Sequence, residues 1–114
     1  MADLIVTFAR ARSKKTLGED TTLFPVAKGS GCRTEAISII AEGDVTSMSA
    51  ESGEQYVSLK AKAECWVAVG SDPTAAAVSS ADSPPAPQAV WHMDADERLD
   101  LSIETGDKVA VIAA

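Results

Sequence analysis

The sequence predicts an all-β protein that folds as a single domain. Apolar stretches rich in β-branched residues recur along the chain, and clusters of Gly, Asp and Ser separate them. Several stretches alternate apolar and polar residues, which is the period of a strand with one buried face. No long stretch has a convincing helical period, and the 114 residues suit one core.

The first predicted strand covers residues 3–9 (DLIVTFA), which are rich in β-branched and aromatic side chains. The polar, basic segment 10–20 follows, with a turn expected at Gly18. We expect a solvated loop there, and the functional alternative is an arm that lies across a neighbouring subunit. The candidate partner-binding residues in this segment are Arg10, Arg12, Lys14 and Lys15.

Two further strands are expected before the middle of the chain. Residues 21–27 contain Pro25, which lacks a backbone N–H and therefore belongs on an edge strand or at a bulge. Residues 28–34 (KGSGCRT) indicate a loop. Residues 35–42 suit a short helix or a strand, and their three isoleucines favour the strand.

The clearest alternation lies at residues 55–63 (QYVSLKAKA), with Val57, Leu59, Ala61 and Ala63 predicted to face inward. Residues 51–54 form the turn before it. The apolar run 64–70 (ECWVAVG) predicts a central strand that is covered on both faces. Residues 71–88 then hold four of the five prolines and no aromatic residue, so we expect a projecting exposed loop, with a disordered insertion as the alternative.

The C-terminal residues 89–114 predict a β-meander. Leu99, Leu101 and Ile103 alternate with polar residues, and Gly106 supplies the positive φ of a tight turn. Val109 and Val111 lie on one face of the last strand. About eight short antiparallel strands in all favour a β-sandwich of the jelly-roll kind. An immunoglobulin-like sandwich is the rival, but Trp66 follows Cys65 instead of lying between the two cysteines.

The charge of −7 is unevenly distributed along the chain. Residues 1–33 carry six basic and three acidic side chains, whereas residues 34–114 carry four basic and fourteen acidic ones. Such a molecule lacks the broad positive surface that nucleic-acid binding needs. The charge separation favours instead self-association or binding to an ordered lattice.

The two cysteines, Cys32 and Cys65, form no CxxC motif. We expect two buried free thiols, with a disulfide as the alternative. No apolar run approaches the ~18 residues of a membrane span, and the N-terminal residues lack the order of a signal peptide. These features predict folding in a reducing cytosol and no membrane partner.

The sequence marks no catalytic or metal site, and no cofactor is expected. His92 is the only histidine, whereas a cupin or blue-copper site needs at least two. No nucleophile motif accompanies it, and Cys65 in an apolar strand should have a raised pKa and be inert. The acidic cluster 94–100 lacks the spacing of an EF-hand and is expected to be a solvated hairpin tip. We therefore expect a protein that is not an enzyme.

The segments ECWVAVGSDPTA (residues 64–75) and GDKVAVI (residues 106–112) flank a Pro/Ala/Ser-rich loop. In this arrangement the C-terminal half resembles small structural virion proteins of tailed bacteriophages. The resemblance implies a capsid decoration or cement protein, a homo-oligomer (dimer or trimer) that binds the major capsid protein on the virion surface after assembly in the host cytoplasm. It implies that Arg10 to Lys15 contact the capsid and that Trp66 and Trp91 fill the core or a subunit interface.

Two alternatives remain from the sequence. One is another virion role, such as a head–tail adaptor, a tail component or a fibre-attachment protein. The other is a carbohydrate- or small-ligand-binding sandwich, in which Tyr56, Trp66 and Trp91 would converge on a concave face. For the decoration protein, we expect deletion of residues 1–15 to abolish capsid binding and to leave a folded domain.

Overall fold

The computed structural model of the protein describes residues 2–15, 23–27, 30–77 and 89–114, with the side chains of residues 2–10, 30–77 and 89–114. These residues form strands and connecting segments without any helix, so the all-β prediction is confirmed. No helix suited to crossing a membrane occurs in the described ranges. The strands are β1 (Asp3–Lys15), β2 (Leu23–Ala27), β3 (Arg33–Ser38), β4 (Asp44–Val45), β5 (Glu54–Ala61), β6 (Cys65–Gly70), β7 (Trp91–Met93), β8 (Arg98–Ser102) and β9 (Lys108–Ala113).

The strands form two antiparallel sheets. In the first sheet, β1 lies between β3 and β5, β8 pairs with the far side of β5, and β2 pairs with the second half of β1. The second sheet has the order β4-β9-β6-β7. Two antiparallel sheets are what the sandwich prediction requires. The jelly-roll connectivity stays a prediction.

A single apolar core involves strands of both sheets. The alternation predicted for β5 is confirmed for Val57, Leu59 and Ala61, which are all fully buried, whereas Ala63 lies beyond the end of the strand and is partly buried. The core is aliphatic, since Phe8 is the one aromatic residue among the buried side chains described. The largest apolar side chains that are fully buried are Leu4, Val6, Phe8, Leu59, Met93, Val57, Val67, Val109 and Val111.

Strand β1 is longer than the sequence indicated. It continues through Lys15, so the loop expected from residue 10 onward is wrong as far as residue 15, and residues 16–20 lie outside the described ranges. Residues 11–15 pair with β2, from Ala11 opposite Ala27 to Lys15 opposite Leu23. Backbone pairing with a second strand overrides the weak strand propensity of a basic, polar segment.

The central place of β1 also overturns the expectation that residues 1–15 are dispensable for folding. The first half of this strand hydrogen-bonds β3 on one side and β5 on the other. Its Leu4, Val6 and Phe8 side chains are fully buried. Deleting this segment would remove the middle of the first sheet, so a truncated chain is not a usable test of binding.

The C-terminal strands do not form the predicted meander. Strand β7 pairs with β6, β8 pairs with β5 in the other sheet, and β9 returns to β6. The predicted faces and turn are nevertheless confirmed, because Ile103, Val109 and Val111 are buried and Gly106 has a φ of +92°. An alternating pattern determines which face of a strand is buried, but it does not determine which sheet the strand joins.

Three smaller predictions can also be compared with the structure. Pro25 lies in β2, which pairs only with β1 among the described strands, as expected of an edge position. The strand expected at residues 35–42 is confirmed in part, because β3 runs from Arg33 to Ser38 and residues 39–42 lie outside it. Both cysteines are free, but Cys32 is exposed and only Cys65 is buried.

Candidate functional site

The structure places only part of the predicted basic site. Arg10 donates a hydrogen bond from Nη1 to the backbone carbonyl of Ser52 at 2.9 Å, so its guanidinium has an internal role. The side chains of Arg12, Lys14 and Lys15 lie outside the described ranges, although their backbones belong to β1. Arg12 pairs in register with Val26, and Lys14 with Phe24. The basic residues therefore follow one strand of a two-stranded ribbon formed by β1 and β2.

A polar network that the sequence did not predict lies next to Arg10, around the connection between β4 and β5. The Arg33 guanidinium binds both carboxylate oxygens of Glu54, with 3.0 Å between Nε and Oε2. Arg33 also donates to the Ser49 carbonyl at 2.8 Å. The Glu54 carboxylate accepts a further hydrogen bond from the Glu51 N–H at 2.7 Å. These contacts attach the connecting segment to β3 and β5.

Glu35 holds the beginning of the same segment. Its carboxylate accepts hydrogen bonds from the Ser47 N–H at 2.9 Å, the Ser47 hydroxyl at 3.0 Å and the Met48 N–H at 3.1 Å. Thr46, which follows β4 and is 1% exposed, exchanges hydrogen bonds with Val109 of β9 in the second sheet. The segment is thereby tied to both sheets.

The network changes the acidity of its carboxylates. The hydrogen bond from Arg33 is the main reason that the pKa of Glu54 is lowered, and it outweighs the opposing effect of burial. Burial disfavours the charged form of Glu35, but the hydrogen bonds from Ser47 and Met48 are stronger together, so its pKa is also lowered. Both groups are therefore poor proton acceptors and act as structural anions.

The two tryptophans do not lie in the core. Trp66 is half-buried and Trp91 is 52% exposed, so the core alternative is wrong for both and the subunit-interface alternative stays a prediction. Trp66 lies on the outer face of the second sheet, because its neighbours Cys65 and Val67 face the core. Tyr56 lies on the outer face of the first sheet. The structure therefore does not bring together the aromatic platform that a carbohydrate-binding face would need.

The outer face at Trp66 also carries the only histidine. The Trp66 and His92 rings meet edge to face, with 4.8 Å between their centroids. His92 Nε2 lies 3.0 Å from Glu64 Oε2, and Nδ1 lies 3.8 Å from Asp94 Oδ1. The sequence pointed to His92 and the acidic residues that follow it, but it did not point to Glu64. Strand register places Glu64 beside His92, and the sequence alone does not give that register.

Cys65 is not positioned to act with this histidine. Cys65 and Met93 are register partners that face the core, whereas His92 lies on the outer face of the same sheet. Burial, with smaller contributions from Glu64 and Glu97, raises the pKa of the Cys65 thiol to about 11. The expected rise in this pKa is confirmed in direction, and the low reactivity of the thiol stays a prediction.

The predicted loop at residues 71–88 is described only to residue 77. Residues 73–75 line a surface depression of about 270 Å³ with residues 42–45, Ala110 and Val111. The beginning of the loop thus runs back along the body of the protein. Residues 78–88, which hold most of the predicted projection, lie outside the described ranges.

Comparisons with known proteins identified no relative of this chain. No protein-family model, no curated protein and no solved structure matches this chain. The proposals below therefore rest on the residues, on the geometry and on the resemblance described above.

Proposed function

We propose that this chain is a non-enzymatic structural protein of a tailed-phage virion, a decoration or cement protein that binds the major capsid protein lattice as a homo-oligomer. The observation that carries the proposal is the ribbon formed by residues 11–15 of β1 and by β2. These residues of β1 pair with β2 alone among the described strands, whereas residues 3–10 pair with the body of the first sheet. The basic residues follow the strand outward from the sheet.

The dimensions of β1 support the same role. At about 3.3 Å per residue, a strand of this length spans roughly 40 Å, and β5 covers little more than half of that distance. A ribbon that extends past its own sheet can contact a neighbouring subunit while the sandwich stays folded. The basic end and the acidic remainder of the chain provide complementary charge for repeated contacts between identical copies or with a lattice.

The scaffold supports a binding role more than a chemical one. Within the described side chains, the titratable groups with shifted pKa values are held by hydrogen bonds or buried in the core, as Glu35, Glu54 and Cys65 show. In the second sheet, Trp66 on the outer face of β6 and the exposed Trp91 of β7 are further candidate contact residues. On this proposal, these aromatic side chains contribute to subunit contacts, since Trp is favoured at the centres of protein interfaces.

The test is co-sedimentation with heads of the phage in whose genome the gene lies, prepared without the protein. Light scattering on the purified chain gives its oligomeric state first. The triple variant Arg12→Ser, Lys14→Ser and Lys15→Ser should lose most of its binding to heads and keep its far-ultraviolet dichroism. The matched control is Lys60→Ser with Lys62→Ser, which removes two cations from the body of the protein.

Binding that is equal in the triple variant and in the control would overturn the role of the ribbon. A monomer that does not sediment with heads would overturn the decoration role itself. Binding only to completed tails would instead place the protein among adaptor or tail components.

A further inference from the structure

Four side chains share the outer surface at one end of the ladder between β6 and β7. The register pairs Trp66 with His92 and Cys65 with Met93, and Glu64 and Asp94 are the next residues beyond that end of the ladder. Cys65 and Met93 are fully buried, so the alternate positions on both strands face outward. The shared surface therefore consists of Glu64, Trp66, His92 and Asp94.

Three of these side chains have metal-ligating atoms close together. One ligand atom from each of Glu64, His92 and Asp94 lies within 4.8 Å of the other two. The ligands of a tetrahedral zinc ion lie about 2.0–2.2 Å from it, and hence roughly 3.4 Å from one another. The 3.0 Å between His92 Nε2 and Glu64 Oε2 is already near that spacing. Asp94 lies nearer the other ring nitrogen, with 3.8 Å between Nδ1 and Oδ1, so an ion bound at Nε2 requires the exposed Asp94 side chain to rotate towards Glu64.

The charge of the cluster favours a bound cation. Carboxylates set directly opposite each other across a strand pair repel. In the part of the chain with described side chains, the ion-pair contacts of Glu64 and Asp94 are with His92 alone. A divalent ion between the three groups would carry enough positive charge to neutralise both carboxylates. A single imidazole carries at most one positive charge and cannot neutralise both.

The backbones that carry the carboxylates are held in place. The Glu64 carbonyl accepts a hydrogen bond from the Ala114 N–H at 3.3 Å. The Asp94 N–H donates to Glu97 Oε1 at 3.1 Å, and the turn that follows is attached to β5 by the Asp96 N–H, 2.8 Å from the Ala61 carbonyl. Little backbone ordering is therefore needed when a ligand binds.

We propose that Glu64, His92 and Asp94 form a binding site for a divalent transition-metal ion, with Zn²⁺ as the best-suited ion. One imidazole nitrogen with two carboxylate oxygens matches the ligand preference of zinc, whereas Mg²⁺ and Ca²⁺ favour ligand sets made only of oxygen. The ion would join the short edge strand β7 to β6. The site is independent of the proposed virion role and needs no partner protein.

Calorimetric titration of the full-length chain with ZnCl₂ tests the site. The exposed thiol of Cys32 is the rival ligand, so the titrations use the Cys32→Ser background. We expect one zinc ion per chain, and His92→Ala should lower the affinity by about tenfold or more. Glu64→Gln and Asp94→Asn should each lower it by a smaller factor. The matched control, Asp100→Asn, removes an exposed carboxylate from the other sheet and should leave the affinity unchanged.

Thermal unfolding gives a second readout, because an ion that binds only the folded chain raises Tm. Zinc should raise Tm in the parent chain and in Asp100→Asn but not in His92→Ala. Mg²⁺ at the same concentration should have no effect. The proposal is overturned if His92→Ala binds zinc as tightly as the parent, or if the folded Cys32→Ser chain gives no binding heat up to about 1 mM zinc.

Discussion

Arg33 and Glu54 form a bidentate ion pair in which the carboxylate is 1% exposed and the guanidinium is 33% exposed. The pair joins β3 to β5 across β1, which lies between them in the first sheet, and both residues also bind the backbone of the segment between β4 and β5. Its importance is therefore structural, since the pair fixes β3 relative to β5 and to the segment that precedes β5.

Removing one member of this pair should destabilise the fold. Arg33→Ala leaves the Glu54 carboxylate buried without its main partner, and we expect a loss of about 2–3 kcal/mol in the free energy of unfolding. The matched control is Glu51→Ala, which removes a carboxylate that also pairs with Arg33 at 3.2 Å but is 60% exposed. That change should cost less than about 1 kcal/mol. Urea denaturation measures both, and equal losses would contradict the special role of Glu54.

Stability should fall in acid because of Glu54 and Glu35. Folding lowers the pKa of both carboxyls from the ordinary value of 4.5, so the folded chain holds their protons more weakly than the unfolded chain does. Their contribution to the free energy of unfolding is complete above pH 4.5. It is lost as the pH falls through the lowered pKa values of the folded chain. Denaturant titrations between about pH 3 and pH 6 should show this loss.

The control for the acid effect is the variant Glu35→Gln, whose amide does not titrate. Its unfolding free energy should be lower than that of the parent at neutral pH and should fall less on acidification. Parallel pH profiles for the parent and the variant would show that Glu35 is not responsible.

Gly53 and Gly106 offer a matched pair, because both have a φ of +92°. Alanine at either position should cost about 1–2 kcal/mol for the unfavourable backbone conformation. A Cβ at Gly106 would meet no atom within 4 Å, whereas one at Gly53 would collide with the Arg10 guanidinium. Gly53→Ala should therefore destabilise the protein more than Gly106→Ala does. Thermal unfolding measures the difference, which should shrink when Arg10→Ala is added.

The two cysteines should differ in reactivity. Cys32 is exposed, whereas burial raises the pKa of Cys65 to about 11 and hides its sulfur from reagents. Under native conditions, iodoacetamide followed by mass spectrometry should show one added group, located on Cys32. Both thiols should react in denaturant. Rapid native labelling of Cys65 would mean that β6 opens easily.

The sequence predicted best those features that depend on local alternation. The inward faces of β5 and β9 followed from Val57, Leu59, Val109 and Val111, because side-chain direction in a strand alternates regardless of its neighbours. The turn at Gly106 followed from the freedom of glycine to adopt positive φ. The same rules did not predict that β1 continues to Lys15, since pairing with β2 supplies the backbone partners there.

By itself, then, the sequence determined an all-β fold with an aliphatic core, because burial of apolar side chains at a period of two favours strands over helices. Only the tertiary structure decided the assignment of β8 to the first sheet, the Arg33–Glu54 pair and the grouping of Glu64 with His92 and Asp94. Each of these depends on strand order and register. Those are set by the packing of the two sheets together, so residues far apart in sequence become neighbours without any local signal.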